Sequence, residues 1–256
     1  MLIIKNILHK IEIHFSCYIV LLLAILMGNF LIVVFCISLL LIHECGHFFT
    51  AYFLKWETDK IYFYPFGGIA KFSADINKPL KEELLVLIMG PISQCLGYFL
   101  IIQFDLNPTD YMLITTVHYN ILLFNLLPIY PLDGGRILQC IACYFISYKR
   151  SFYFIYCISF LFMFILIYLF LAYKNYNLLF IIILLGIKMY QERKKIHYYF
   201  QRFLLERFLK KYQFKKTIIV PSEQAFKRDC SHILKIKNRY KTEQEYLDDK
   251  YYKSIL

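Results

Sequence analysis

Three side chains within five positions could do chemistry together: His43, Glu44 and His47. On a helix, the two imidazoles of a His-Glu-x-x-His stand at i and i+4 on one face, at a spacing that one metal ion can bridge. Glu44 lies beside that face, where it can take a proton from water held at the metal. The motif sits inside a long apolar run. An ionisable group at membrane depth is costly enough to mark a functional site. The bland alternative is a buried helix face whose histidines only hydrogen-bond to their neighbours.

A catalytic zinc takes three protein ligands and leaves a fourth position to water. Asp133 is the best third candidate, because it is the only carboxylate in the second half of the membrane domain's core. It follows Asn125-Leu-Leu-Pro-Ile-Tyr-Pro-Leu-Asp133-Gly-Gly135, where two prolines and two glycines break an otherwise apolar helix. Zinc would bring the pKa of its water toward neutrality and polarise the scissile carbonyl. Glu44 would act as general base and then pass the proton to the leaving amine. Asn125 either donates to the developing oxyanion or substrate backbone, or caps the broken helix end. His118, alone in its segment, reads as a satisfied core residue. Cys140-x-x-Cys143 lies in an apolar stretch with no partner pair and reads as packing thiols.

The elements that must position these groups are membrane helices. The chain has 256 residues, 59% of them hydrophobic, and a mean hydropathy of +0.52, which sets it apart from soluble domains of its size. Apolar runs near 15–28, 30–54, 83–103, 111–146 (interrupted), 152–173 and 176–190 predict about six spans. The first run lacks a small-residue cleavage site and reads as a span rather than a removable signal peptide. Lysines and arginines before span one, in the loop 55–81, at 149–150 and after span six alternate with loops nearly free of Lys and Arg. This pattern predicts cytoplasmic termini. Seven of the eight cysteines fall in the apolar segments, which is not a disulfide framework.

Tyr64-Pro-Phe66-Gly67-Gly68 interrupts the helical pattern with the signature of a β-hairpin or re-entrant loop. The edge of such a hairpin could pair with an extended substrate strand; an ordinary cytosolic connector is the plainer reading. Gly90-Pro91 marks a kink or a close helix contact. From Lys188 onward the chain holds eighteen Lys and Arg against eight Asp and Glu, out of a net charge of +11. A basic tail beside a membrane points to anionic lipid or an acidic protein surface. No nucleic acid is expected, since no recognised binding motif accompanies the charge.

His43-Glu44-x-x-His47 in one span, with Asn125-x-x-Pro128-x-x-x-x-Asp133-Gly134 in a later one, resembles the motif pair of the site-2 protease family of intramembrane zinc metalloproteases. The resemblance implies one Zn2+ per chain, held by His43, His47 and Asp133, with Glu44 as the catalytic base. Asn125, Pro128 and Gly134, with Phe66, Gly67 and Gly68 of the loop, are the candidates for substrate positioning. Stretches 41–47, 64–68, 78–83, 125–135 and 202–207 are similar to the sporulation branch of that family, over about residues 1–210. That branch implies cleavage of the pro-sequence of a late sporulation sigma factor, pro-sigma-K, and inhibition by two membrane partners. It also implies ATP at a C-terminal CBS domain and residence in a bacterial cell membrane, the forespore outer membrane. Residues 217–256 are shorter than a full CBS unit.

The expected fold is an all-α polytopic membrane protein with about six transmembrane helices, a re-entrant or β-hairpin loop and a short cytosolic α/β tail. The expected domains are a membrane metalloprotease domain (1–190), a basic amphipathic linker helix (191–216) and a tail with a reduced CBS-like segment (217–256). The oligomeric state, a homo-oligomer among the options, is left open. Two alternatives remain at this point. One is a site-2 protease acting on an anti-sigma factor or a remnant signal peptide. The other is a membrane scaffold or transporter with a structural metal, which would tolerate a change at Glu44 because that residue is not a ligand.

Overall fold

The computed structural model describes residues 11–13, 15, 30–56, 58–64, 67–72, 76–236 and 239–252, with residues 11–13, 58–64 and 67–72 described by their backbone. Phe66, and the first expected span apart from Phe15, lie outside the described residues. The chain is mostly helical and divides into two compact units, residues 1–74 with 85–126 and residues 75–84 with 127–256.

The first unit contains β1 (Ile11–Ile13), α1 (Phe30–Phe53), β2 (Thr58–Tyr64), β3 (Gly67–Phe72), most of α2 (Leu80–Ile101) and α3 (Pro108–Leu126). α1 carries no acidic or basic residue in its end turns. Its 24 residues rise about 1.5 Å each, enough to cross a hydrocarbon core of about 30 Å. α3 begins on Pro108, where a missing N–H costs nothing and the fixed φ suits a first turn. Leu39, Ile114 and Val117 form a buried core between α1 and α3, with Phe35, Tyr98 and Ile121 packed on it. β2 and β3 pair antiparallel with Tyr64 opposite Gly67, and β1 lies parallel to β2. The Gly67-Gly68 signal thus belongs to a β-hairpin.

The second unit contains the first turn of α2, then α4 (Asp133–Phe145), α5 (Tyr148–Tyr173) and α6 (Tyr176–Lys210). It ends with β4 (Thr217–Val220), a 3-10 turn at Glu223–Ala225, β5 (Ser231–Ile236), β6 (Arg239–Thr242) and α7 (Glu243–Tyr252). The expected interruption of 111–146 is real: α3 ends at Leu126 and α4 starts at Asp133. Gly135 allows the returning chain to pack close, since a Cβ there would lie 2.6 Å from the Ile129 carbonyl carbon and the Tyr130 nitrogen. The Asn175 side chain caps α6 by accepting from the Asn177 and Leu178 amides at 3.0 and 3.4 Å. The tail sheet runs β4-β5-β6, parallel then antiparallel. On β5, His232 and Leu234 point inward at the two-residue period of a strand.

Among the described residues, α1, α2 and α5 are long and apolar enough to cross a membrane. Leu96, Phe99, Leu100, Leu161, Phe164 and Leu171 on these helices are exposed. Such apolar surface is costly in water and suits a lipid phase.

Candidate metal centre

α1 places His43, Glu44 and His47 on one buried stretch of helix, exposed by 1%, 9% and 7%. The two imidazole Nε2 atoms lie 3.2 Å apart. Their protons can be assigned from their other partners. His47 Nδ1 is 2.7 Å from the Val86 carbonyl oxygen, which only accepts, so Nδ1 carries the hydrogen. His43 Nδ1 is 3.0 Å from Gln94 Oε1. The amide orientation of Gln94 is set by its nitrogen, which donates to the His118 carbonyl oxygen at 3.0 Å. His43 is therefore also protonated on Nδ1. With Nδ1 of each ring committed to a protein acceptor, the two Nε2 atoms converge on one point, where a metal ion could take both as ligands. The donor set fits a divalent metal that prefers nitrogen ligands.

The opposite helix builds this geometry with residues spaced four apart. Val86, Gly90 and Gln94 share one face of α2. A Cβ on Gly90 would sit 2.2 Å from His47 Nε2, so only glycine leaves room for that ring. Pro91 has no N–H for the Leu87 carbonyl, which loosens this turn of the helix. On the other side of the crossing, a Cβ on Gly46 would sit 2.1 Å from Ser93 Oγ, and the Ser93 hydroxyl donates to the Ile42 carbonyl at 2.9 Å. The Gly90-Pro91 signal is thus a close helix contact, and it leaves the room in which the His47 ring is seated. Gln94 and Val86 were not singled out from the sequence. The available signal was a polar residue inside an apolar span, one turn beyond Gly90.

The remaining candidates distribute as follows. Asn125 is the penultimate residue of α3, and Pro128 lies in the segment that follows. Asp133 and Gly134 open α4, where a carboxylate in the first turn faces the positive end of the helix dipole. Gly67 and Gly68 begin β3. His118 is buried, stacked on Tyr98 with ring centroids 4.1 Å apart, as a core histidine would be. Cys140 and Cys143 are buried as well; their thiols point to the Leu80 carbonyl at 3.4 Å and the Ser151 hydroxyl at 3.2 Å. The two are packing thiols.

Comparison with known proteins agrees with this geometry. Residues 30–109 match the family model of Peptidase family M50. The chain is 28% identical to the Stage IV sporulation protein FB of Bacillus subtilis over 87% of its own length and 83% of that protein's. A zinc metalloprotease of Methanocaldococcus jannaschii is 37% identical over 43% of this chain and 34% of its own. Among solved structures, the site-2 protease from Methanocaldococcus jannaschii shares the fold with a TM-score of 0.55 at 24% identity, covering 71% of this chain and 89% of that one. A histidine pair of metal-binding geometry on an apolar helix thus lies inside the segment that matches Peptidase family M50, and the similarity to the Stage IV sporulation protein FB over most of both chains points with it to an integral membrane metalloprotease of the site-2 protease kind.

Proposed function

We propose that this protein is a zinc endopeptidase that hydrolyses a peptide bond of a membrane-associated protein near the cytosolic face of a bacterial cell membrane. In this reading His43, His47 and Asp133 hold one zinc ion and Glu44 is the general base. One observation carries it: the 3.2 Å approach of two imidazole Nε2 atoms whose ring protons are committed elsewhere. Bound zinc would acidify the attacking water and polarise the scissile carbonyl. Glu44 takes the proton of the attacking water and returns it to the departing amide nitrogen. Burial of Glu44 beside the histidines strengthens its interactions with charge that develops there. Asn125 donates its amide to the oxyanion, while Pro128, Gly134, Phe66, Gly67 and Gly68 hold the substrate backbone.

The substrate we propose is the pro-sequence of a sporulation sigma factor of the pro-sigma-K kind, with membrane proteins as inhibitory partners. Its support is the similarity over most of both chains to the Stage IV sporulation protein FB of Bacillus subtilis. The proposed topology has six spans and cytoplasmic termini, supported by the alternation of Lys and Arg between loops. Residues 191–216 and 217–256 then form a cytosolic linker and tail. ATP plays no part in this reading.

Co-expression with a pro-sigma-K-like substrate tests the whole reading. The wild type is expected to cleave it. Glu44→Gln is expected to lose ~10²–10⁴-fold in rate while retaining its zinc. Cleavage by Glu44→Gln at the wild-type rate would remove Glu44 from the chemistry. A zinc-loaded wild type that leaves this substrate intact but cuts another membrane protein would overturn the substrate assignment alone.

A further inference from the structure

The tail segment from Phe226 to Cys230 grips the start of α2. α2 begins after Pro79, which has no side-chain acceptor for a cap. Asp229, held at φ 53°, supplies one from a distance of 149 residues: its carboxylate accepts from the Leu80 amide at 3.0 Å. Arg228 is 6% exposed; it donates to the Lys78 carbonyl at 2.6 Å and forms an ion pair with Glu83. The segment is fixed from behind as well. The Lys227 amide donates to His232 Nε2 at 2.9 Å, and the Lys227 carbonyl accepts from Arg207 at 3.0 Å. The Tyr148 amide donates to the Phe226 carbonyl at 2.9 Å.

Glu83 serves two arginines. It lies in the field of Arg228 and of Arg136, and Arg136 lies in turn in the field of Asp133, three residues before it on α4. A chain of alternating charges thus runs Arg228, Glu83, Arg136, Asp133, all within the second unit. Desolvating such charges costs several kcal/mol per ion, and apolar residues of the same volume often serve stability as well or better. What a partly buried charge chain supplies in return is a fixed geometry. Partners of this kind orient metal-ligating carboxylates, and their loss commonly costs 10–100-fold in metal affinity or activity.

We propose that Arg228 is a positioning residue for the metal centre: through Glu83 and Arg136 it sets the orientation of the Asp133 carboxylate. Docking of residues 227–229 on the start of α2 thereby tunes zinc retention and turnover. The proposal rests on Asp133 being a zinc ligand.

The test is the rate at which the purified full chain loses zinc to a chelator, together with kcat and KM. Arg228→Ala is expected to lose zinc about tenfold or more faster, with kcat lowered and KM little changed. Arg228→Lys keeps the charge facing Glu83 and should recover most of the loss. Glu83→Gln should match Arg228→Ala, and the double variant should be no worse than either single, because both break one chain. Zinc loss in Arg228→Ala within twofold of wild type would overturn the proposal, as would Arg228→Lys being as damaged as the alanine variant. Asp133→Ala in the same assay separates the two levels. If it keeps its zinc, the ligand reading falls and this proposal with it; if it loses zinc while Arg228→Ala does not, only this proposal falls.

Discussion

The two units each bury histidine, and they use it in opposite ways. In the second unit, His232 donates from Nδ1 to Glu243 at 2.8 Å and accepts the Lys227 amide on Nε2 at 2.9 Å. Its ring lies flat on Phe226, with centroids 4.3 Å apart. Both nitrogens are consumed by the protein itself, and the ring is a structural strut. In the first unit, His43 and His47 also spend Nδ1 on protein acceptors, but their Nε2 atoms face each other at 3.2 Å. Residue type and burial are the same in the two places. The difference is whether a backbone N–H or a second imidazole nitrogen faces Nε2, and the second arrangement is the one that suits a metal ion.

The largest effect that would break this contrast is expected from Gly90→Ala. Its methyl group would fall on the His47 ring, and a displacement of about 1 Å at a reacting centre can cost ~10²-fold. Zinc titration and kcat/KM measure it; a Gly90→Ala protein with wild-type values for both would remove the steric argument. Gln94→Leu comes next. It leaves the His43 Nδ1–H buried without its acceptor, and about tenfold weaker zinc binding is expected by competition with a chelator. Gln94→Glu, which keeps an acceptor in place, should bind more tightly than Gln94→Leu, and the reverse order would refute the tautomer assignment.

The smallest effect sharpens the other half of the contrast. Burial holds His232 below its ordinary pKa, near 6.5, against the pull of Glu243 toward protonation. Burial pushes Glu243 up, yet its bonds to His232 and Arg207 hold it below the usual carboxylate range. Both groups therefore bind protons more readily in the unfolded chain. Their contributions are fully present above the unfolded pKa values and are lost as the pH falls through the folded ones. Thermal unfolding of the second unit should shift to lower temperature from pH 7.5 to pH 5, and less so in His232→Gln. A melting temperature that rises on acidification would contradict the assignment.

Some of the fold was legible because it is written in contiguous residues. The helix that carries the motif, the break before Asp133 and the hairpin at Gly67-Gly68 each follow from local pattern. Other features were drawn differently. α6 runs unbroken from Tyr176 to Lys210, although the sequence changes from apolar to basic within it. A helix backbone is indifferent to that change, and only the surroundings register it. Of the tail sheet, Thr217–Val220 was visible as a strand, whereas β5, which reads Ser-His-Ile-Leu-Lys-Ile, breaks the polar–apolar alternation and β6 is four residues long with a single apolar side chain.

By itself, the sequence determined that His43 and His47 share a helix face with Glu44 beside it, because a helix converts their spacing directly into that arrangement. It could not determine which nitrogen of each histidine is offered. That depends on the Val86 carbonyl 39 residues from His47 and on Gln94 51 residues from His43. Likewise, the carboxylate that caps α2 lies 149 residues away in the tail. Local pattern carries no information about such pairings; hydrogen-bond partners remote in the chain become fixed only when packing brings their elements together.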